Sequence, residues 1–188
     1  IMALIVKSAN DVAVVIAETI SGSEAEFAKI MTNKAKELGM YNTVFKNSNG
    51  LPNAEQKSTA YDLAKLAIAL RRDHPNYYHL FSKTNFVFKG NTYQTHNRVL
   101  SNYEWADGLK TGYINASGFN VVTSAIKDKK KLVAVVLGGE TAKVRDQKMV
   151  ALLDKYLHQP FYTRDQNKFA LKVAKKKDKS SKLSGEAI

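Results

Sequence analysis

The 188-residue sequence contains no cysteine. Disulfides, thiol catalysis, zinc–thiolate sites and iron–sulfur clusters are therefore excluded. Long hydrophobic runs are also missing. The longest, such as 132–137, fall far short of the roughly 20 apolar residues that a membrane-spanning helix needs. Histidine is sparse: His74, His79, His96 and His158 are scattered without the spacing of a metal site, and His79 and His96 read as surface or packing residues. Residues 1–6 are apolar but lack a basic leader and a cleavage site, so no signal peptide is read there. An Ile at position 1 suggests a processed chain or a piece of something longer.

Acidic residues are outnumbered, 17 Asp and Glu against 29 Lys and Arg, for a net charge of +12. At 44% hydrophobic and 24% charged, the composition is globular. The excess charge is uneven. Residues 168–188 hold seven Lys against Asp178 and Glu186, a net +5. Residues 174–183 offer almost nothing to bury, so 159–188 is read as a disordered basic tail. Weak contact of that tail with an anionic membrane or wall polymer is one use for it, worth at most about 1 kcal/mol per Lys; a solvated linker is the other. The run Lys127-Asp128-Lys129-Lys130-Lys131 reads as an exposed hairpin turn. Nucleic-acid binding is set aside, because there is no zinc-finger spacing, aromatic RNP-like strand or basic helical stripe.

Helices dominate the first half. An apolar helix end at 2–7 is interrupted by Ser8-Ala9-Asn10 and resumes over 11–20. Ser23 with Glu26 opens a helix through Leu38 that Gly39 stops. After a loop over 41–54, Thr59 with Asp62 caps a helix over 60–72, and His74-Pro75 starts a short helical turn through Phe81. The second half changes period. A hairpin is expected from 86–88 and 92–95, strands over 107–114, 118–127 and 132–137, and a closing helix over 141–157 with Val144, Met149, Leu152, Leu153 and Tyr156 inward. This is an α+β layout.

Two tripeptides stand out: Ser8-Ala9-Asn10 between helices and Lys110-Thr111-Gly112 on a strand. A Ser-x-Asn is common, whereas Lys-Thr-Gly occurs in on the order of one chain in twenty-five of this length. In that order they match the second and third motifs of the penicillin-recognising serine acyl-transferases. The surrounding text resembles the D-alanyl-D-alanine carboxypeptidases, serine peptidase family S11. The resemblance is carried by Leu4-Ile5-Val6-Lys7-Ser8-Ala9-Asn10-Asp11, Lys36-Glu37-Leu38-Gly39-Met40-Tyr41-Asn42-Thr43, Gly108-Leu109-Lys110-Thr111-Gly112-Tyr113 and Val136-Leu137-Gly138-Gly139. It covers about residues 1–158, taken as a partial catalytic domain.

The resemblance implies a β-lactamase/transpeptidase-like fold, an antiparallel sheet packed with helices, lacking its N-terminal strands and nucleophile helix. It implies an extracytoplasmic hydrolase that removes D-Ala from peptidoglycan pentapeptides through an acyl-enzyme, inhibited by β-lactams when complete, with no cofactor. The family's nucleophile lies in a Ser-x-x-Lys upstream of Ser-x-Asn. Here the one Ser three residues before a Lys is Ser124, before Lys127. It falls on a strand, where residues three apart point to opposite faces, so the pair cannot cooperate. The nucleophile and its Lys are therefore expected to be missing from this chain, which alone is expected to be inactive.

By resemblance, Ser8 relays protons and Lys110 assists that transfer and attracts the substrate carboxylate. Asn10 bonds the substrate amide, Thr111 donates to the carboxylate, and Gly112 leaves room along the strand. The N–H of Tyr113 gives half of an oxyanion hole. Arg145 and Arg98 hold the terminal carboxylate. Tyr113 stands where the family often has His. Plainer readings exist for some of these: Ser8 and Asn10 as helix caps, Arg145 as a solvated helix residue, Asp62, Asp107 and Trp105 as structural. At the level of function the alternative is a non-catalytic remnant or a cell-wall-binding module.

Overall fold

A computed structural model describes residues 1–159. The expected tail, apart from Gln159, lies outside the described residues.

The first element is a π-helical turn, Ala3–Lys7, at the place where the sequence predicts the end of an apolar helix. Ser8 ends it with φ +59°, a left-handed conformation that is strained for a residue with a side chain. Helix α1 (Asn10–Ser21) follows directly. In α2 (Glu24–Glu37), Ser23 caps the start by accepting from the Glu26 N–H at 3.2 Å. The Glu26 carboxylate pairs with Lys29 at 2.5 Å. Gly39, at φ +75°, ends this helical region where a Cβ would be strained. Helix α3 (Ala60–Asp73) is capped by Thr59 as expected, its hydroxyl accepting from the Asp62 N–H. Between α2 and α3 the loop is held by side chains. Asp62, fully buried, accepts from the Asn42 N–H and the Thr43 hydroxyl at 2.9 and 2.8 Å. Glu24 accepts from the N–H and hydroxyl of Ser48, which hold its carboxyl below the usual carboxylate range.

Helix α4 (Pro75–Tyr78) and a 3-10 turn (His79–Ser82) lead to a two-stranded hairpin, β1 (Asn85–Phe88) and β2 (Asn91–Gln94). A short helix α5 (Arg98–Asn102) then appears that the sequence reading left out. Five residues are too few for a visible period; its one local mark is Asn97, whose side chain caps Leu100 N–H. The main sheet is β3 (Ala106–Ile114), β4 (Gly118–Lys127) and β5 (Lys130–Gly139), antiparallel in that order. The turn from β4 to β5 uses only Asp128 and Lys129, at φ +48° and +66°. Two successive left-handed residues match the right-handed twist of the strands. Pairing runs to both ends of β5, so the strand is longer than its apolar centre. Helix α6 (Ala142–Leu157) closes the described chain.

The sheet is packed on both faces. Val121, Ala125 and Val136 meet Met149, Leu153 and Leu157 of α6, with Val99. Burying each large side chain stabilises by about 1.5–3 kcal/mol. On the other face Leu109, Val122 and Val133 meet Ala67, Leu70, Tyr78 and Phe81. The buried stripe of α6 is Arg145, Met149, Leu153 and Leu157, every fourth residue. The sequence reading placed Val144 there; the i, i+4 row instead begins at Arg145. Elsewhere, apolar helix positions stay uncovered: Val15, Ile20 and Ile30 are 61%, 62% and 49% exposed.

Candidate active site

The site forms where the turn before α1 meets β3. The left-handed Ser8 points its hydroxyl at β3, where it accepts a hydrogen bond from Lys110 Nζ across 102 residues of sequence. Lys110 also donates to the Thr111 carbonyl at 3.0 Å. Both residues line an open groove of about 1480 Å³, together with Asn10, Thr111, Gly112, Tyr113, Arg98 and Arg145. All eight residues singled out in the sequence are thus brought to one groove.

Strand β3 is an edge strand, paired to β4 on one side alone. Its outer edge therefore offers unpaired backbone N–H and C=O groups to an extended peptide. A Cβ on Gly112 would meet nothing within 4 Å, so the backbone here is open to close approach. The Tyr113 ring packs on Phe119, with centroids 4.3 Å apart, and its hydroxyl donates to Asn115 Oδ1 at 2.7 Å.

The two arginines differ. Arg98 is exposed at the head of α5 and has no acidic partner among the described residues. Arg145 is 4% exposed, which excludes the reading as a solvated residue. Its Nη2 lies 2.8 Å from Asp146 Oδ1, and its Nη1 donates to the Asn120 carbonyl at 3.2 Å. The register of β4 on β5 shifts between Phe119 and Val121, at Asn120, and such a bulge leaves a carbonyl outside the ladder. A Cβ at Gly139 would lie 2.8 Å from the Arg145 Cβ, so only glycine lets α6 approach here. Arg145 thus carries a matched charge and clamps the sheet end, while Lys110 and Arg98 of the groove have no carboxylate partner among the described residues.

Burial pushes the Lys110 ammonium below the ordinary lysine range. Between its folded and unfolded pKa the unfolded chain binds more protons, so this group makes stability rise as pH rises through that window. At neutral pH the buried charge opposes folding. Lys110→Met is expected to raise the melting temperature at pH 7 by about 2–4 °C, the shift that ~1 kcal/mol gives in a chain of this size. A lower melting temperature by calorimetry would show that the bond to Ser8 outweighs desolvation.

Ser124 and Lys127 are held apart. Ser124 is fully buried, accepting from Tyr78 OH at 2.8 Å and donating to Asp107 Oδ1 at 2.7 Å. Lys127 lies over the Trp105 ring at 5.1 Å. His96, read from sequence as a surface or packing residue, lines the groove. Its place beside Arg98 in sequence was the one available sign.

Residues 1–141 match the family described as D-alanyl-D-alanine carboxypeptidase, peptidase S11. The chain belongs to this family. It is 38% identical to the D-alanyl-D-alanine carboxypeptidase DacD of Escherichia coli K12, over 80% of this chain and 39% of that protein. It is also 38% identical to DacF of Bacillus subtilis, over 95% of this chain and 48% of that one. The chain thus spans about half or less of the length of these relatives. Among solved structures, penicillin binding protein 6B from E. coli superposes with a TM-score of 0.78 at 37% identity, covering 84% of this chain and 50% of that one. Penicillin-binding protein D2 from Listeria monocytogenes, solved in a cefotaxime-bound form, gives 0.75 at 31% identity, covering 81% and 63%. The α+β, transpeptidase-like fold expected from the motifs is therefore the fold of this family member. Among the described residues no helix is long and apolar enough to cross a membrane.

Proposed function

We propose that this chain forms the peptide-binding and proton-transfer part of an extracytoplasmic D-Ala-D-Ala carboxypeptidase acting on peptidoglycan stem peptides. The Ser-x-x-Lys nucleophile comes from outside these 188 residues. The single observation that carries this reading is the hydrogen bond from Lys110 to Ser8, made in a groove lined by no Asp or Glu.

The family's chemistry and the geometry of the groove support one course of reaction. The supplied serine oxygen attacks the carbonyl carbon between the two D-alanines, and its proton passes to the supplied Lys. Ser8, held by Lys110, then hands its hydroxyl proton to the leaving nitrogen of the terminal D-Ala as the C–N bond breaks, and regains one from the supplied Lys, which is left neutral. Lys110, Thr111 and Arg98 attract the terminal carboxylate, with Arg145 behind them at the groove wall. Asn10 takes the substrate amide, and the peptide lies along the open edge of β3 past Gly112. The Tyr113 N–H supplies one oxyanion donor; the other belongs to the supplied serine. Water then hydrolyses the ester.

A binding module without catalysis is the second reading, since the cationic groove and the open edge of β3 suffice to hold a peptide. The two part on one assay. The chain is fused behind a segment bearing a Ser-x-x-Lys helix from a family member, and D-alanine release from N-acetyl-L-Lys-D-Ala-D-Ala is measured. Release by the fused protein and none by the chain alone is the expected result. A fused protein that binds the peptide and releases nothing would support the binding module.

A further inference from the structure

The groove contains an imidazole that the reaction just described does not use. His96 lies two residues beyond β2, whose strand packs beside the π-helical turn that ends in Lys7. Neither ring nitrogen of His96 has a hydrogen-bond partner among the described residues, whereas His79 bonds the Asn76 carbonyl and His158 meets Lys127. The ring lines the same groove as Ser8, Lys110 and Arg98. Every formally charged lining residue is cationic: Lys110, Arg98 and Arg145, the last matched by Asp146. Among the described residues no carboxylate lines the groove to hold an imidazolium in place.

We propose that His96 is a proton-accepting member of the carboxylate subsite, neutral in the free chain and protonated when a peptide carboxylate binds between it and Lys110. The inference rests on the reading of the groove as a peptide-carboxylate site.

The charges that face the ring are few and of one sign. Lys7 comes from the π-helical turn and Lys110 from β3; Arg98, at the head of α5, lines the same groove. His96 is an exposed residue at the groove's rim; partial desolvation first, then Lys7 and Lys110, push its imidazole below the ordinary histidine range. At pH 7 the free ring is therefore neutral. A bound carboxylate offsets the field of Lys110 and gives the ring an acceptor, so ligand and proton bind cooperatively. The sign is fixed. The ligand raises the His96 pKa, and by reciprocity binding tightens as pH falls through the window between the free and bound values. The ligand itself stays ionised down to about pH 4. A fully realised coupling of one pH unit makes binding about tenfold tighter on the acid side. His96 thus sets an acid preference for the peptide, which an arginine at the same place would not.

The test uses the 188-residue chain with 13C-labelled histidine. Its four histidine signals are followed by NMR from pH 5 to 8.5, with His96→Asn for assignment. In the free chain His96 is expected to titrate below the ordinary histidine range, and Lys7→Met, at an exposed position, to raise it. Saturating N-acetyl-D-Ala-D-Ala is expected to move it up by about one pH unit, with tighter binding at pH 5.5 than at 7.5. Acetate at equal concentration should give a smaller shift, since it lacks the peptide that fixes the carboxylate. Peptide binding with equal affinity at both pH values and an unmoved His96 would overturn the role of His96 and leave the groove assignment standing. Absence of peptide binding at every pH would overturn both. A free-state His96 that titrates within the ordinary histidine range and ignores Lys7→Met would overturn the proposal on its own.

Discussion

Lys110→Ala is expected to slow acylation by a β-lactam about 10²–10⁴-fold in the protein completed with a Ser-x-x-Lys segment, the range for loss of a positioned proton-transfer group. The argument starts at the backbone. Ser8 is forced left-handed at the end of the π-helical turn, which turns its hydroxyl toward β3. Lys110 is the donor that fixes that hydroxyl, and without it Ser8 is free to rotate out of the relay. Lys110→Arg should rescue poorly. Its guanidinium supplies charge but does not deprotonate, and its fork does not fit a point contact to one hydroxyl. Because the two residues act as one unit, Ser8→Ala and Lys110→Ala should be far from additive in stopped-flow acylation rates. Additive losses would mean that the Lys110–Ser8 bond is incidental to the chemistry.

The second large effect concerns the support of β3. Asp107→Ala is expected to destabilise the chain by about 2–3 kcal/mol. Both Asp107 oxygens accept from Arg71 Nη2 at 2.6 Å, Ser124 donates to one of them, and Tyr78 donates to Ser124. The Arg71 guanidinium also lies 4.0 Å from the centre of the Tyr78 ring. The register shift between Ala106 and Gly108 marks a bulge at Asp107, the kind of irregularity that re-aims a side chain. Removing the carboxylate leaves Arg71 without its counter-charge and the Ser124 hydroxyl without its acceptor, while their contacts to Tyr78 remain. The cost stays below the ~3–5 kcal/mol of a fully buried pair because the two side chains are 12% and 28% exposed. Urea unfolding measures it, and Arg71→Met combined with Asp107→Ala should recover part of the loss. A midpoint for Asp107→Ala equal to that of the parent chain would contradict the account.

The features legible in the sequence are those decided over a few residues. Thr59 and Ser23 cap helices because their hydroxyls reach an N–H three residues on. Gly39 and the Asp128-Lys129 turn are set by φ. The motif residues Ser8 and Lys110 could be paired from their text, yet the strain at Ser8 that joins them is a tertiary fact. What depended on packing was harder to read. Val15, Ile20 and Ile30 follow a helical period and lie exposed, as expected of a helical half without the helix that covers it in the family, since period reports a face and not what covers it. Arg145 occupies the buried stripe of α6, which hydropathy assigned to Val144. His96 has no pattern around it; only the fold of β2 against the π-helical turn brings it to the groove.

The most direct test of the central claim is intact-mass spectrometry after exposure to benzylpenicillin, on the chain alone and on the chain completed with a Ser-x-x-Lys segment. The expected result is no covalent adduct on the chain alone. The completed protein should carry one adduct per molecule, mapped to the supplied serine. A stoichiometric adduct on the chain alone, at Ser8 or at any serine within residues 1–188, would contradict the account.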